Sequence, residues 1–257
     1  MTSKFYRQGG LVAAVMALAL AASPAQAVLV QPMVIRMYTA GQGANAAITV
    51  VNDKNKPDTI QVKVSRLIIG ETGSPQTEPV KSDDFLIFPP IATIEAGKTQ
   101  VFRLRWVGEP KLDKAGLYMV TSQEVPVDQQ GTGVQVVYAI QTLVAVSTPG
   151  MTSAPELVSQ TATERDVPES PQGPAHHEAG LDLLIQNTGN NALFLVDYGL
   201  RLQGDNGFKQ DLSTVDVEHA VGLGLIPANA RRHMFIPVKD LPKTGQITVT
   251  FRKDGKG

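Results

Sequence analysis

The chain has 257 residues, of which 42% are hydrophobic and 18% charged, so it can bury the core of one large or two ordinary domains and is not a disordered polar chain. Its formal net charge of −1 leaves no footprint for nucleic acid. It has no cysteine, which excludes disulfides, thiol chemistry and cysteine-based metal sites.

Residues 1–27 read as a signal peptide. Lys4 and Arg7 precede an apolar stretch from Gly9 to Ala22, and Ala25 and Ala27 occupy the small-residue positions of a cleavage site. The expected mature start is Val28, which leaves 21 basic residues against 24 acidic ones, a net charge of about −3. The apolar stretch is short for a membrane span, so an exported protein is expected; a retained amino-terminal anchor is the rival reading.

From Val28 the hydrophobic period is mostly two, and turn residues fall where strands should end. The expected strands are QPMVIRMYT, AAITVVND, DTIQVKVSRLIIG, DFLIFPP, TQVFRLRWV, GLYMVTSQEVPV and GVQVVYAIQTLVAVSTPG. Seven strands in about 120 residues, with nothing helical between them, is the count of an immunoglobulin-like sandwich. Alternation is clearest from Val101 to Trp106: Phe102, Leu104 and Trp106 share one face, Arg103 and Arg105 the other. ETGSPQTEP is expected to be a turn. The last run, residues 133–150, is uncharged and β-branched, a sticky strand if it lies at a sheet edge.

The texture changes after Pro149. A short hinge is expected, then a second domain over 150–257 with a long loop from about Thr163 to Gly180. Its expected strands are LDLLIQNTGN, ALFLVDYGLRLQ, VEHAVGLGLIPA, RRHMFIPV and GQITVTFRK. QNTGNNA at 186–192 echoes VNDKNKP at 51–57, which suggests two related sandwiches. The fold class is therefore all-β: two immunoglobulin-like sandwiches, at 28–149 and 150–257, after a cleaved leader.

Chemistry-bearing motifs are sparse. His176 and His177 are adjacent, and neighbours on a strand face opposite ways, so one metal is hard for both to reach. G-x-S-x-G is absent, and GLGL at 222–225 lacks the spacing and following helix of a phosphate loop. No enzyme activity, cofactor or metal is expected. Arg36, Arg103 and Arg105 read either as a solvated strand face or as guanidinium forks for a carboxylate.

The succession DFLIFPPIATIEAGKTQVFRLRWVG, GLYMVTSQEVPV and GVQVVYAIQTLVAVSTPG resembles the first domain of the PapD-like periplasmic pilus-assembly chaperones. QPMVIRMYTAGQGANAAITVVN resembles the family's opening strands, and NTGN a turn early in its second domain. The resemblance implies two immunoglobulin-like domains at an angle and a chaperone, in the periplasm, that lends an apolar strand to pilus subunits and works with an outer-membrane usher. Matching Gln141 and Thr142 to the family's last strand makes Val136, Tyr138 and Ile140 the donated side chains, with Val134 a fourth. Family members anchor the subunit's terminal carboxylate with an Arg near the first strand and a Lys late in the last. Here the Lys position falls near Ala145, and alignment on TAGQ puts the Arg position at Ile35, one residue from Arg36. Arg36, together with Arg103 or Arg105, is therefore the expected anchor, in a divergent archaic or alternative branch.

The alternatives are a structural pilus subunit or adhesin, and an exported sandwich that binds a small ligand or metal. The first would need a free donor extension, whereas the first mature residues read directly into a domain strand. A homodimer that hides the sticky strand is a further expectation.

Overall fold

A computed structural model of the chain describes residues 28–80, 84–125, 137–171, 173–242 and 245–253. The expected leader at 1–27 and the expected donor positions Val134 and Val136 lie outside them.

The first half is built from β1 (Val28–Gln31), β2 (Val34–Tyr38), β3 (Asn45–Asn52), β4 (Asp58–Ile69), β5 (Pro75–Pro79), β6 (Phe85–Phe88), β7 (Ile91–Ile94), β8 (Thr99–Trp106), β9 (Gly116–Glu124) and β10 (Ala139–Ser147). They form two packed sheets, one ordered β1-β3-β8-β6, the other β2-β10-β9-β4-β5 with β7 also on β4. The expected first strand, QPMVIRMYT, holds β2 and only the last residue of β1: the chain leaves one sheet after Gln31 and joins the other at Val34. Phe102, Leu104 and Trp106 point into the core against Ile48 and Val50, as the alternation requires. Phe85, Trp106 and Tyr118 close one end with edge-to-face and tilted ring contacts.

Two strands depart from the sequence reading. PQTEP, expected within a turn, is the edge strand β5, paired with the end of β4. All five of its residues are exposed, so it carries no apolar alternation to reveal it. Ile91–Ile94 is likewise a strand, a short one held by backbone pairing to Asp58–Gln61.

The second half comprises β11 (Pro155–Val167), β12 (His176–Asn187), β13 (Leu193–Phe194), β14 (Tyr198–Gly204), β15 (Lys209–Leu212), helix α1 (Thr214–Val221), β16 (Leu225–Ile226), β17 (Arg231–Pro237) and β18 (Ile247–Lys253). Two three-stranded sheets, β11-β12-β17 and β15-β14-β18, enclose a core of Leu183, Ile185, Leu195, Leu202 and Ile236. The expected loop at 163–180 is instead a hairpin, because Ala162–Val167 pair residue for residue with Leu181–His176. β11 is an edge strand with a mostly exposed, polar face, and its backbone bonds to β12 rather than burial define it.

The stretch read as a strand at VEHAV is α1. Ser213 caps it, accepting from the Asp216 N–H at 3.2 Å, and the Asp216 carboxylate accepts from the Ser213 N–H at 2.8 Å. These bonds, and Val217 buried in the core, override the short β-like pattern.

The echoed turns prove to be equivalent. Asn52 and Asn187 are both fully buried, each at the end of a central strand. A third apolar cluster joins the halves: Leu67, Leu117, Leu143 and Ala145 of the first meet Ala192, Phe194 and Leu225 of the second. The linker is pinned as well, with the Thr152 and Ala154 N–H groups donating to Asn190 and Asn187 side chains at 3.1 Å.

Candidate functional site

β10 has two different halves. From Leu143 to Ser147 it lies between β9 and β2, and its side chains divide cleanly. Val144 and Val146 enter the first core, while Leu143 and Ala145 enter the cluster between the halves. From Ala139 to Thr142 it pairs with β9 alone, Ala139 opposite Gln123 and Thr142 opposite Val120. Its other side pairs with no strand among the described residues, since β2 begins its pairing only at Leu143. The parallel ladder opens at Pro32, whose carbonyl accepts from the Thr142 hydroxyl at 3.1 Å.

Ile140 and Tyr138 continue the parity of Val144 and Val146 toward this open end. Ile140 is half-buried against the margin of the core, and Tyr138 is 48% exposed. A stripe of Tyr138 and Ile140, joined to the core through Thr142, thus runs out along an edge that is unpaired among the described residues, which is the geometry by which a sheet adds a strand.

A charged cluster fixes the base of that edge. The Lys54 Nζ lies 2.7 Å from Asp58 Oδ2 and 3.0 Å from Glu124 Oε2, with all three side chains nearly buried. It also sits 5.3 Å from the centre of the Tyr138 ring. Burial pulls the Lys54 pKa down, but the hydrogen bonds and charges of Asp58 and Glu124 outweigh it and raise the pKa overall. The Glu124 N–H donates to the Tyr138 carbonyl at 3.0 Å, so the cluster, β9 and the start of β10 are mechanically one unit.

The second element lies between the halves. Ile35 is buried in the first core, and Arg36, one residue on, faces outward from β2, as the alternation of a strand dictates. Arg36 is also the register partner of Ala145, the position where the Lys was expected and is missing. Its guanidinium stacks 4.1 Å from the centre of the Phe194 ring and grips Asp197 in a two-point fork, Nη1 to Oδ2 and Nη2 to Oδ1, each at 2.9 Å. The pair borders a cavity of about 360 Å³ that is lined from both halves, by Arg36, Tyr38 and Ala145 on one side and by Asn191, Asp197 and Lys253 on the other.

Arg103 and Arg105 lie elsewhere. They point out from β8 on the exposed face of the other sheet, opposite Phe88 and Leu86, and neither lines the cavity that holds Arg36. Sequence reasoning passed over Phe194, Asp197 and Lys253. No local signal marks them, because they meet Arg36 only through the docking of the two halves.

The histidines are dispersed. His177 lies 2.6 Å from Asp166 on the exposed hairpin, and His233 lies 2.8 Å from Asp182. Among the described residues no three His, Asp or Glu side chains are grouped to hold a metal ion. A larger cavity, of about 560 Å³, lies in the second half beside α1, and shares no residue with the β10 edge or the Arg36 cavity.

Residues 29–146 match the family model described as the pili and flagellar-assembly chaperone, PapD N-terminal domain. No curated protein matches the sequence. Among solved structures, the class 5 fimbriae chaperone CfaA is similar over 87% of this chain and 99% of its own, with 12% identity and a TM-score of 0.51. A chain of a chaperone–tip adhesin complex of CFA/I fimbriae biogenesis is similar over 88% of this chain and 98% of its own, with 11% identity and a TM-score of 0.51. At such identities these structures speak for the fold, and the matched domain speaks for descent. Residues 29–146 thus belong to the PapD-like family of pilus-assembly chaperones, whose members are not enzymes, and the whole chain shares the fold of the fimbrial chaperones compared with it.

Proposed function

We propose that this chaperone acts in the periplasm by lending a pilus subunit the strand that runs from Val134 through Val136, Tyr138 and Ile140 into β10, and that it hands the subunit to an outer-membrane usher. The observation that carries the reading is the edge of β10 from Ala139 to Thr142, unpaired among the described residues, with Tyr138 and Ile140 on the parity of the core-facing residues. Main-chain groups on such an edge supply affinity, and alternate side chains filling pockets supply selectivity. Burial of apolar area at roughly 25 cal/mol per Å² supplies the driving force, so no nucleotide is needed.

Arg36 is the proposed anchor for the subunit's terminal carboxylate, with Lys253 as the second positive charge on the same cavity. Arg103 and Arg105 sit on the outer face of the other sheet and drop out of the assignment. In the free protein the open edge would serve a second copy, so a self-capping homodimer is the form expected before a subunit arrives.

The test is co-expression with a pilus subunit from the same gene cluster and purification of the complex from the periplasm. Wild-type chaperone should bring the subunit with it, and the Tyr138→Asp and Ile140→Asp variants, folded by circular dichroism, should not. Capture that survives both changes would mean that β10 is not the donated strand.

A further inference from the structure

The fork of Arg36 is already filled. Both of its terminal nitrogens bond one carboxylate, Asp197, and Phe194 covers one face of the guanidinium. Resting on the carboxylate-anchor reading above, we infer that Asp197 is a built-in competitor: it holds the Arg36 fork in the free protein, and an incoming terminal carboxylate binds by exchanging with it.

Three observations support exchange rather than a permanent strut. The Arg36 and Asp197 side chains are 52% and 36% exposed, so water reaches the pair and the bond is one of modest strength. A buried pair of the same geometry would be a lock, because neither partner could leave without an unpaired charge in the interior. Among the charged residues that line the cavity, Arg36 and Lys253 face Asp197 alone, so the site is one negative charge short of balance. Lys253 has no ion-pair partner among the described residues. Finally, the stack on Phe194 holds the guanidinium in place independently of Asp197, so the fork stays presented while its carboxylate changes.

The consequence is selectivity. Asp197 is part of the same molecule and acts at a high effective concentration, so a free small carboxylate displaces it poorly. A carboxylate tethered to a strand that is adding along β10 has its own high effective concentration, and exchanges. The cleft thereby responds to a chain end delivered with a strand, and ignores dissolved anions.

The experiment uses the purified protein with a six-residue, N-acetylated, valine-rich peptide, as the free acid and as the C-terminal amide. Binding is followed by nuclear magnetic resonance of the arginine side-chain N–H groups and by fluorescence anisotropy of a labelled peptide. The acid should bind wild type better than the amide does, and Arg36→Ala should erase that difference. Asp197→Asn should raise affinity for the acid about five-fold and leave the amide unchanged, the scale of one exposed ion pair. Asp197→Ala should act in the same direction, and thermal unfolding of each variant checks that the fold persists. An acid preference that depends on Arg36 but is unchanged or weakened by both Asp197 variants overturns the competitor role and leaves the anchor standing. Equal binding of acid and amide in every variant overturns the anchor and the competitor together.

Discussion

Asn52 and Asn187, 135 positions apart, share three kinds of bond in the two sandwiches, and Asn187 adds a fourth from the Ala154 N–H. Each side-chain oxygen accepts from the N–H two residues on, that of Lys54 at 3.0 Å and Gly189 at 3.1 Å. Each side-chain amide donates to the carbonyl four residues on, that of Lys56 at 2.9 Å and Asn191 at 2.8 Å. Each also reaches across to a distant segment, Asn52 to the Ile94 carbonyl at 2.8 Å and Asn187 to the Pro227 carbonyl at 3.1 Å. A turn that must leave a buried strand end has backbone groups which no ladder satisfies, and a buried asparagine satisfies them from within.

Replacing either residue by alanine strands these groups in the interior. Asn52→Ala and Asn187→Ala should each cost about 2–4 kcal/mol in urea unfolding, given roughly 1–3 kcal/mol for each buried group left unpaired. Asn45, exposed and with one long bond of 3.5 Å to the Gln42 carbonyl, is the control, and Asn45→Ala should stay within about 0.5 kcal/mol.

The arginine positions separate by face. Arg103→Gln with Arg105→Gln should leave subunit capture at the wild-type level, because both side chains project from the sheet opposite to that of β10 and the Arg36 cavity. Arg36→Gln should weaken capture by about ten-fold or more, since a two-point charged contact is lost. Pull-down at matched protein concentrations checks both; equal losses would mean that the anchor is not in the cleft.

Helix α1 depends on its cap. Ser213→Ala should lower stability by about 1 kcal/mol, and Ser213→Gly by only a few tenths, the order expected for a helix N-cap. Urea unfolding of the second half, followed through a probe on α1, reads the difference. If the two variants are equal, the serine hydroxyl is not what holds the first turn.

Much of the first sandwich was legible because its strands are half-buried and alternate. Phe102, Leu104 and Trp106 against Arg103 and Arg105 leave no other reading of that segment. β5 and β11 were illegible for the converse reason: both are edge strands with polar, exposed faces, and what makes them strands is backbone pairing supplied by β4 and β12. Helix α1 was missed although Ser213 and Asp216 stand at capping-box spacing, a signal available in the sequence. The shared parity of Tyr138 and Ile140 could be read from the period of two, while their proposed donor role rests on the family resemblance. The cleft could not, since Phe194, Asp197 and Lys253 approach Arg36 only after the cluster of Leu143, Ala145, Phe194 and Leu225 has joined the halves.

The Lys54 cluster gives a prediction with a pH signature. Its ammonium is held between two carboxylates at the foot of β10, with side-chain exposures of 9%, 4% and 13% for Lys54, Asp58 and Glu124. Burial opposes the charge, but the bonds to Asp58 and Glu124 raise the folded pKa above the ordinary 10.5. A group whose pKa is raised on folding binds its proton more tightly in the folded state. Its stabilisation is therefore complete below about pH 10.5, and is lost as the pH rises from there through the folded pKa. Lys54→Met leaves two near-buried carboxylates facing each other without a cation, and should cost about 3 kcal/mol at neutral pH. The gap between wild type and variant, measured by urea unfolding, should narrow above pH 10.5, where the lysine of the unfolded wild type begins to lose its charge while the folded one still holds its proton. Because the Glu124 N–H also holds the Tyr138 carbonyl, hydrogen exchange at Glu124 should quicken in the variant more than at Val120, deeper in the same strand. A gap that does not change with pH would place the cost in lost packing, and the charge would then play no part in fixing the base of the strand.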